Sequence, residues 1–344
     1  MHPPETLETL LERALTRRAS LLDENYRAAL RLFNGFSEGE PALIAELFAA
    51  TLVLHNYADP PLAGIAALRA AESFYRARLP GLKAVLVKTR RGSDAEKRGL
   101  LTFGAAPDSH IRENGVRYAI NLTLNRDTSF YMDTRNLRRW ALENLRGKSV
   151  LNTFAYTGSL GVAALAGGAT RVVQLDRSRE FLNLAKTSCT LNGLPIVKAD
   201  YLAADFFPAV SALKKQGQRF DCIFLDPPFF SSSAKGRVDL ENDPIRLINK
   251  LRPLVAPGGW LVAINNGLFV SGAEYLELLE SLSADGFVQI ERLIPVPEDF
   301  TARDDSRPAP LPADPAPFNH PTKIALLKVF HKTIPYSCRN FLKL

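Results

Sequence analysis

Ser149-Val150-Leu151-Asn152-Thr153-Phe154-Ala155-Tyr156-Thr157-Gly158-Ser159-Leu160 runs from a short apolar strand into a turn of small residues that opens a helix. The same alternation continues downstream. Strands are expected at Ser149–Thr153, Arg171–Asp176, 222–226 and 260–265, and helices at 158–166, 178–192, 244–254 and 273–284. Near-continuous apolar strands joined by helical crossovers predict a parallel, doubly wound α/β sheet covered on both faces. Two further strands, Val288–Leu293 and Lys323–Val329, flank the Pro-rich stretch 294–321, which is long enough for the last strand to return antiparallel.

Upstream the pattern differs. Leu7, Leu10, Leu11, Leu15, Leu21 and Leu22 recur at helical spacing over 6–22 and predict an amphipathic lead-in helix. Short strands at 30–33, 42–47 and 51–55, a helix at 61–78 and a strand at 83–88 predict a small α+β module. The polar, Gly-containing stretch 91–109 reads as a boundary loop, 116–122 as a hairpin strand and 136–145 as a helix. The expected organisation is an N-terminal helix over 1–24, a small α+β domain over 25–110 and a larger α/β domain over 111–344.

The 344 residues are 46% hydrophobic and 23% charged, which excludes a disordered chain. Lys and Arg number 43 against 36 Asp and Glu, a net charge of +7 that admits a polyanionic partner without identifying one. Cys189, Cys222 and Cys338 show no C-x-x-C spacing, so neither a disulfide framework nor a zinc knuckle is expected, and a reducing cytoplasm is. No secretory leader and no apolar run of about 18 residues is visible, so no membrane partner is expected. His2, His55, His110, His320 and His331 lack ligand spacing, and no metal site is expected.

In a parallel sheet, ligands bind off the carboxyl ends of the strands. The turn from Asn152 to Gly158 would present backbone N–H groups there, although an ordinary strand-to-helix turn explains the same residues. Asp176 ends the next strand 18 positions after Gly158, close to the spacing at which a carboxylate meets a ribose diol; it could equally cap the helix that follows. Asp205, in Ala203-Ala204-Asp205-Phe206-Phe207, would sit at the same edge and accept from an adenine amino group, or cap a helix, and Asp200 is a weaker candidate. The most specific stretch is Phe224-Leu225-Asp226-Pro227-Pro228-Phe229-Phe230. An apolar strand ending in Asp-Pro-Pro-Phe offers a carboxylate, two carbonyls whose residues donate no N–H, and a ring on which a planar base can stack.

Over roughly residues 25–330 these stretches resemble the class I S-adenosylmethionine-dependent methyltransferases, and within them the large-subunit ribosomal RNA methyltransferases. The resemblance implies a Rossmann-like seven-stranded sheet with its last strand antiparallel, a preceding small strand-strand-helix-strand-strand domain, and S-adenosyl-L-methionine as cofactor. Phe130, Asp133 and Arg135 match the family's marker after the hairpin. Asn152, Phe154, Ala155, Tyr156, Thr157 and Gly158 match its first methyltransferase motif, Asp176 with Arg177 its ribose acid, and Ala204 with Asp205 its adenine-side acid. Asp226, Pro227, Pro228 and Phe229 match the target-base motif and form the expected catalytic group.

Three departures bear on the substrate. Relatives that methylate cytosine at C5 keep a nucleophilic cysteine after the fifth strand, where this chain has Ala263-Ile264-Asn265-Asn266-Gly267. Carbon-5 is a poor nucleophile until a thiolate adds to the ring, so C5 chemistry is disfavoured. Asn265-Asn266 is similar instead to relatives that methylate guanine, and Asn265 joins the catalytic group. The N-terminal RNA-binding module of many relatives is replaced by the short helix, which shifts expected RNA docking to Arg76, Arg78, Lys83, Lys88, Arg90 and Arg91; a merely solvated basic face is the alternative. Ser129 and Ser159 stand where relatives commonly have glycine. The expected protein is thus a cytoplasmic methyltransferase acting on ribosomal RNA at a guanine nitrogen, with a homodimer admitted. A methyltransferase of small molecules or proteins, and a non-catalytic RNA-binding or ribosome-assembly factor, are the competing readings.

Overall fold

A computed structural model describes residues 5–284, 286–301 and 311–330, which pack as two compact units. The first comprises the described residues up to 135 together with 297–301, and the second those of 136–296 and 311–330.

In the first unit α1 (Leu7–Arg17) is capped by the Thr6 hydroxyl, which accepts from the Thr9 N–H, and it buries Leu10, Leu11, Ala14 and Leu15. The strands β1 (Ala29–Phe33), β2 (Leu43–Phe48) and β3 (Thr51–Asn56) are antiparallel. Helix α2 (Ile65–Arg78) then crosses over, so that β4 (Ala84–Thr89) runs parallel to β3. The short α3 (Asp94–Arg98) leads into β5 (Leu100–Phe103), antiparallel on the sheet edge. One sheet face is apolar: Leu30, Leu32, Leu52, Leu54 and Val85 join Leu11, Phe74 and Tyr75 in one buried cluster. Alternate residues Arg31, Glu46, His55 and Lys88 fall on the opposite face. There Glu46 bridges Arg31 at 2.9 Å and His55 at 2.8 Å. A separate hairpin pairs β6 (His110–Glu113) with β7 (Val116–Ala119).

The structure revises three expectations here. The stretch 91–109 is not an open loop, because it holds α3 and β5. Only four residues long, exposed at Leu100 and Leu101, and flanked by Gly99 (φ +116°) and Gly104 (φ +86°), β5 carries no alternation to read. Three strands precede α2, as the residue pattern at 30–33, 42–47 and 51–55 has it, where the family resemblance implied two. The packing boundary falls near Arg135 rather than at 110, since the hairpin docks by Arg112 N–H to the Arg27 carbonyl at 2.7 Å. Part of the Pro-rich stretch also belongs to this unit: Asp299, in a helical turn over Glu298–Thr301, is wholly buried and accepts from Arg135 at 2.8 and 3.0 Å and from the Arg31 N–H at 2.9 Å.

The second unit contains α4 (Arg135–Asn144, apart from its first residue), β8 (Ser149–Thr153), α5 (Ser159–Ala166), β9 (Arg171–Asp176), α6 (Arg179–Leu191), β10 (Tyr201–Ala203), α7 (Phe206–Lys215) and β11 (Phe220–Leu225). A hairpin of β12 (Phe230–Ser233) and β13 (Gly236–Asp239) precedes α8 (Pro244–Leu251), β14 (Val255–Asn265), α9 (Gly272–Ser281), β15 (Val288–Leu293) and β16 (Lys323–Val329). Seven strands form one sheet in the order β10-β9-β8-β11-β14-β16-β15. The first five are parallel, and β16 is antiparallel to both neighbours, as the doubly wound reading requires. Central strands are buried on both faces: Leu151, Ile223, Phe224, Leu261 and Val262 are all inaccessible. One face is an apolar layer shared with α7, α8 and α9 through Val210, Leu251, Tyr275 and Leu279. No helix among the described residues is long and apolar enough to cross a membrane.

Candidate active site

Because β8, β9, β10, β11 and β14 are parallel, the residues that follow each of them collect along one edge of the sheet. The turn after β8 takes left-handed backbone at Phe154 (φ +53°), Tyr156 (φ +51°) and Gly158 (φ +75°). Non-glycine residues adopt this conformation at a cost, and such strain concentrates at functional sites. The turn is clamped to β9: Ala155 N–H donates to the Leu175 carbonyl at 2.9 Å and Tyr156 N–H to Asp176 Oδ2 at 2.8 Å. Beneath it Asn152 Nδ2 donates to Gln174 Oε1 at 2.8 Å, and Gln174 Nε2 to the Gly158 carbonyl at 3.1 Å. A Cβ on Gly158 would approach Ala185 Cβ to 2.5 Å, so this position takes only glycine. Asn152 therefore supports the turn from inside the sheet, with Gln174 as the partner that sequence reading missed. The lone polar residue in Val172-Val173-Gln174-Leu175 was the available signal.

Asp176 Oδ1 accepts the Ser178 N–H at 2.8 Å, and burial raises its carboxyl above the usual range against the pull of those backbone donors. Asp205 caps α7 by accepting the Phe207 N–H at 3.0 Å. Both acids thus take the capping role, and each keeps lone pairs for a further donor. Phe154, Asp176, Arg177, Ala204 and Asp205 line one cavity, with Phe206 stacked on Phe154 at 4.7 Å. Asp200 lies at the opposite end of β10 and is held by Arg171 at 2.7 Å, a structural pair.

Asp226 and Phe229 are half-buried where β11 ends, with Pro227 buried and Pro228 exposed. Asn265, at the end of the neighbouring β14, is inaccessible, and its Oδ1 accepts the Gly267 N–H at 2.8 Å. A Cβ on Gly267 would lie 2.9 Å from both Asn265 Oδ1 and Phe229 Cε2, so both side chains border that glycine. The structure adds Lys323, whose wholly buried ammonium donates to the Gly267 carbonyl at 2.9 Å. Nothing in the chain pattern around it singled it out.

The remaining expected residues lie in the first unit. Phe130 is buried against Tyr118, and Asp133 sits in a helical turn over Met132–Thr134. Arg135 directs its guanidinium to Asp299, to the Ala29 carbonyl at 2.8 Å and toward Glu113 at 3.5 Å. Ser129 has φ +58°, which explains why glycine suits that position. The basic residues form no single strip. Lys88 is buried with all three ammonium donors taken by backbone carbonyls, which leaves none for a phosphate. Arg76, paired with Glu72, Arg78, paired with Glu12, and exposed Lys83 precede β4, whereas Arg90, paired with Asp127, and Arg91, paired with Asp59, follow it. At about 3.3 Å per residue the strand between them spans about 20 Å.

A protein family described as S-adenosylmethionine-dependent methyltransferase matches residues 76–309. The chain belongs to this family. The methyltransferase is 30% identical over 286 residues to the ribosomal RNA large subunit methyltransferase I of Enterobacter sp. (strain 638), an alignment covering 80% of this chain and 69% of that one. With the enzyme of the same name from Vibrio cholerae it shares 35% identity over 225 residues, 64% of this chain but only 55% of the relative. Among solved structures, SMU.776, described as a methyltransferase complexed with SAH, superposes with a TM-score of 0.80 at 20% identity, covering 94% of this chain and 81% of that one, a likeness of fold.

S-adenosylmethionine is the cofactor of this methyltransferase, and the edge residues suit it in kind. Asp176 offers a carboxylate to a ribose diol, Phe154 and Phe206 offer rings to a purine, and Asp205 offers an acceptor to an exocyclic amino group. The cavity they line measures about 30 Å³, room for a single water, because Ser231, Gly236 and Val238 of the β12–β13 hairpin form its wall.

Proposed function

We propose that this methyltransferase modifies a nucleobase of large-subunit ribosomal RNA at a nitrogen, with guanine as the favoured base. The observation that carries the reading is the placement of Asp226, Phe229 and Asn265 at the ends of two neighbouring strands, with no thiol there among the described residues. Cys222 lies inside β11 and Cys189 inside α6, and burial pushes both thiols up, away from nucleophilic thiolate character. Cys338 lies outside the described residues. Nitrogen attack needs alignment rather than a covalent intermediate.

When bound, the cofactor supplies an electrophilic methyl group on a sulfonium. Asp226 accepts an N–H of the target nitrogen, orienting its lone pair and taking up the proton that methylation releases. Phe229 stacks the base, and Pro227 and Pro228 leave carbonyls free of a competing donor of their own. The names of the curated relatives favour the ribosomal substrate, and a cytoplasmic location follows from it. Arg76, Arg78 and Lys83 at one end of β4, and Arg90 and Arg91 at the other, are the phosphate contacts of this reading. A homodimer is part of it too, supported by the exposed Leu100 and Leu101 on the edge strand β5.

Labelled S-adenosylmethionine is to be given, with the protein, to total RNA from cells that lack it, and the RNA digested to nucleosides. A methylated guanine in the large-subunit RNA is the expected product. Label in a C5-methylated pyrimidine, or none in RNA, would overturn the reading.

A further inference from the structure

We propose that Lys323 is a positioning residue for the base site, and that it holds Asn265 Nδ2 as a hydrogen-bond donor for an acceptor atom on the target base. The proposal rests on reading the Asp226–Phe229 edge as the base site.

Strands β14 and β16 pair Asn265 directly with Lys323, so the two side chains share a face at close range. Both are fully inaccessible. The Lys323 ammonium donates to the Gly267 carbonyl at 2.9 Å and to the Pro321 carbonyl at 2.6 Å, and no carboxylate among the described residues pairs with it. Burial lowers it to about 8. A buried ammonium without a counter-charge is costly, and the rest of the strand, Ile324-Ala325-Leu326-Leu327, is apolar. An apolar residue would pack here at less cost, so the lysine calls for an explanation beyond packing. What it holds is the segment 265–267 against the residues before β16.

That segment fixes the orientation of the Asn265 carboxamide. Gly267 N–H can meet only an acceptor, so Oδ1 faces it at 2.8 Å and Nδ2 is the opposite end. Asn265 Nδ2 is buried with no hydrogen-bond partner among the described residues. A buried donor left unpaired is destabilising, and in native proteins such a group needs a reason. Here the carboxamide and the Phe229 ring border the same glycine, each 2.9 Å from where a Cβ on Gly267 would stand. A base stacked on that ring would offer a carbonyl oxygen or an unprotonated ring nitrogen to Nδ2, while its amino group faces Asp226. The site is then complementary to a base edge with a donor next to an acceptor, and Lys323 keeps the donating half in place through Gly267.

The test compares wild type with Lys323→Met, Lys323→Gln, Asn265→Ala, Asn265→Asp and the double variant Lys323→Met/Asn265→Ala. The readout is labelled methyl transfer from S-adenosylmethionine to ribosomal RNA from cells lacking the protein. Lys323→Met is expected to lower kcat about 100-fold, as a small misplacement of a reacting group does, with KM for RNA and cofactor affinity within about two-fold of wild type. Lys323→Gln, which keeps a donor for Gly267, regains part of that loss. The double variant falls no further than Asn265→Ala alone, because the lysine acts through Asn265. Asn265→Asp keeps the contact with Gly267 but replaces the donor by an acceptor, and it loses rate as Asn265→Ala does. Wild-type kcat in Lys323→Met or Asn265→Asp, or additive losses in the double variant, would overturn the proposal. Should Lys323→Met fail to fold, shown by lost cofactor binding, Lys323→Gln and Asn265→Asp decide. If wild type itself transfers nothing to this RNA, the functional reading falls and this proposal falls with it.

Discussion

Lys88 in the first unit and Lys323 in the second are both inaccessible lysines on sheet strands, and burial lowers both to about 8. Their donors separate them. Lys88 gives one N–H each to the carbonyls of Arg98, Asn125 and Asp127, at 2.6, 2.8 and 3.1 Å, which exhausts an ammonium. Lys323 meets two carbonyls and stands across from a carboxamide with a donor to spare. A saturated buried charge is a strut, whereas an arrangement that leaves a buried donor over is arranged for something else.

The largest expected effect lies at the open edge. Asp226→Ala should lower methyl transfer about 1,000-fold while equilibrium dialysis finds cofactor binding retained. A loss under about ten-fold would remove Asp226 from the chemistry and blur the contrast.

Next comes the strut. Lys88→Met should lower the stability to urea by about 3 kcal/mol, because three carbonyls lose a charged donor, and leave the rate per folded molecule unchanged. The sign of its pH dependence follows from the lowered folded value. Burial depresses Lys88, Arg90 adds to that, and Asp127 and Glu46 oppose it, leaving it at about 8 against about 10.4 in the unfolded chain. Between those values the unfolded chain binds more protons, so the lysine's contribution to stability grows as pH rises. The deficit of Lys88→Met relative to wild type should therefore widen from about pH 8 to about pH 10. A deficit that narrows, or a fall in kcat without loss of stability, would break the comparison.

A smaller change is expected at Asp176. Asp176→Asn should weaken cofactor binding about ten-fold, by removing a charged acceptor. Because burial raises the Asp176 carboxyl, wild-type affinity should decline on acidification through that raised value, and the Asn variant should lack this limb. The smallest effect belongs to the surface. Replacing Arg90 and Arg91 by Glu should reduce the salt dependence of RNA binding by about one unit of slope for each phosphate that the variant no longer neutralises. Lys88→Met should leave that slope alone, and a change there would return Lys88 to the docking surface.

Much of this was legible beforehand. Long apolar strands such as Ser149–Thr153 and Arg171–Asp176 kept their boundaries, because burial on both faces writes itself into every residue. The placement of Asp176, Asp205 and Asp226 at the carboxyl ends of strands was legible too. What escaped was short or paired across distance. The four residues of β5, three of them exposed, carry no pattern, and the β12–β13 hairpin that walls the cavity beside Asp176 and Asp205 was not expected. Lys88, read as a phosphate contact, became a strut. Arg135, read through family likeness as a cofactor residue, braces Asp299, which lies 164 positions away.

The sequence by itself determined the α/β order, the parallel sheet and the acids at its strand ends, because each depends on local periodicity and on the residues that end a strand. The tertiary structure alone decided which polar groups are satisfied. Whether a lysine holds three carbonyls or two, and whether an asparagine keeps a donor free, depends on partners that folding brings from elsewhere in the chain. No window of sequence contains both halves of a hydrogen bond between β14 and β16, whose residues lie some sixty positions apart.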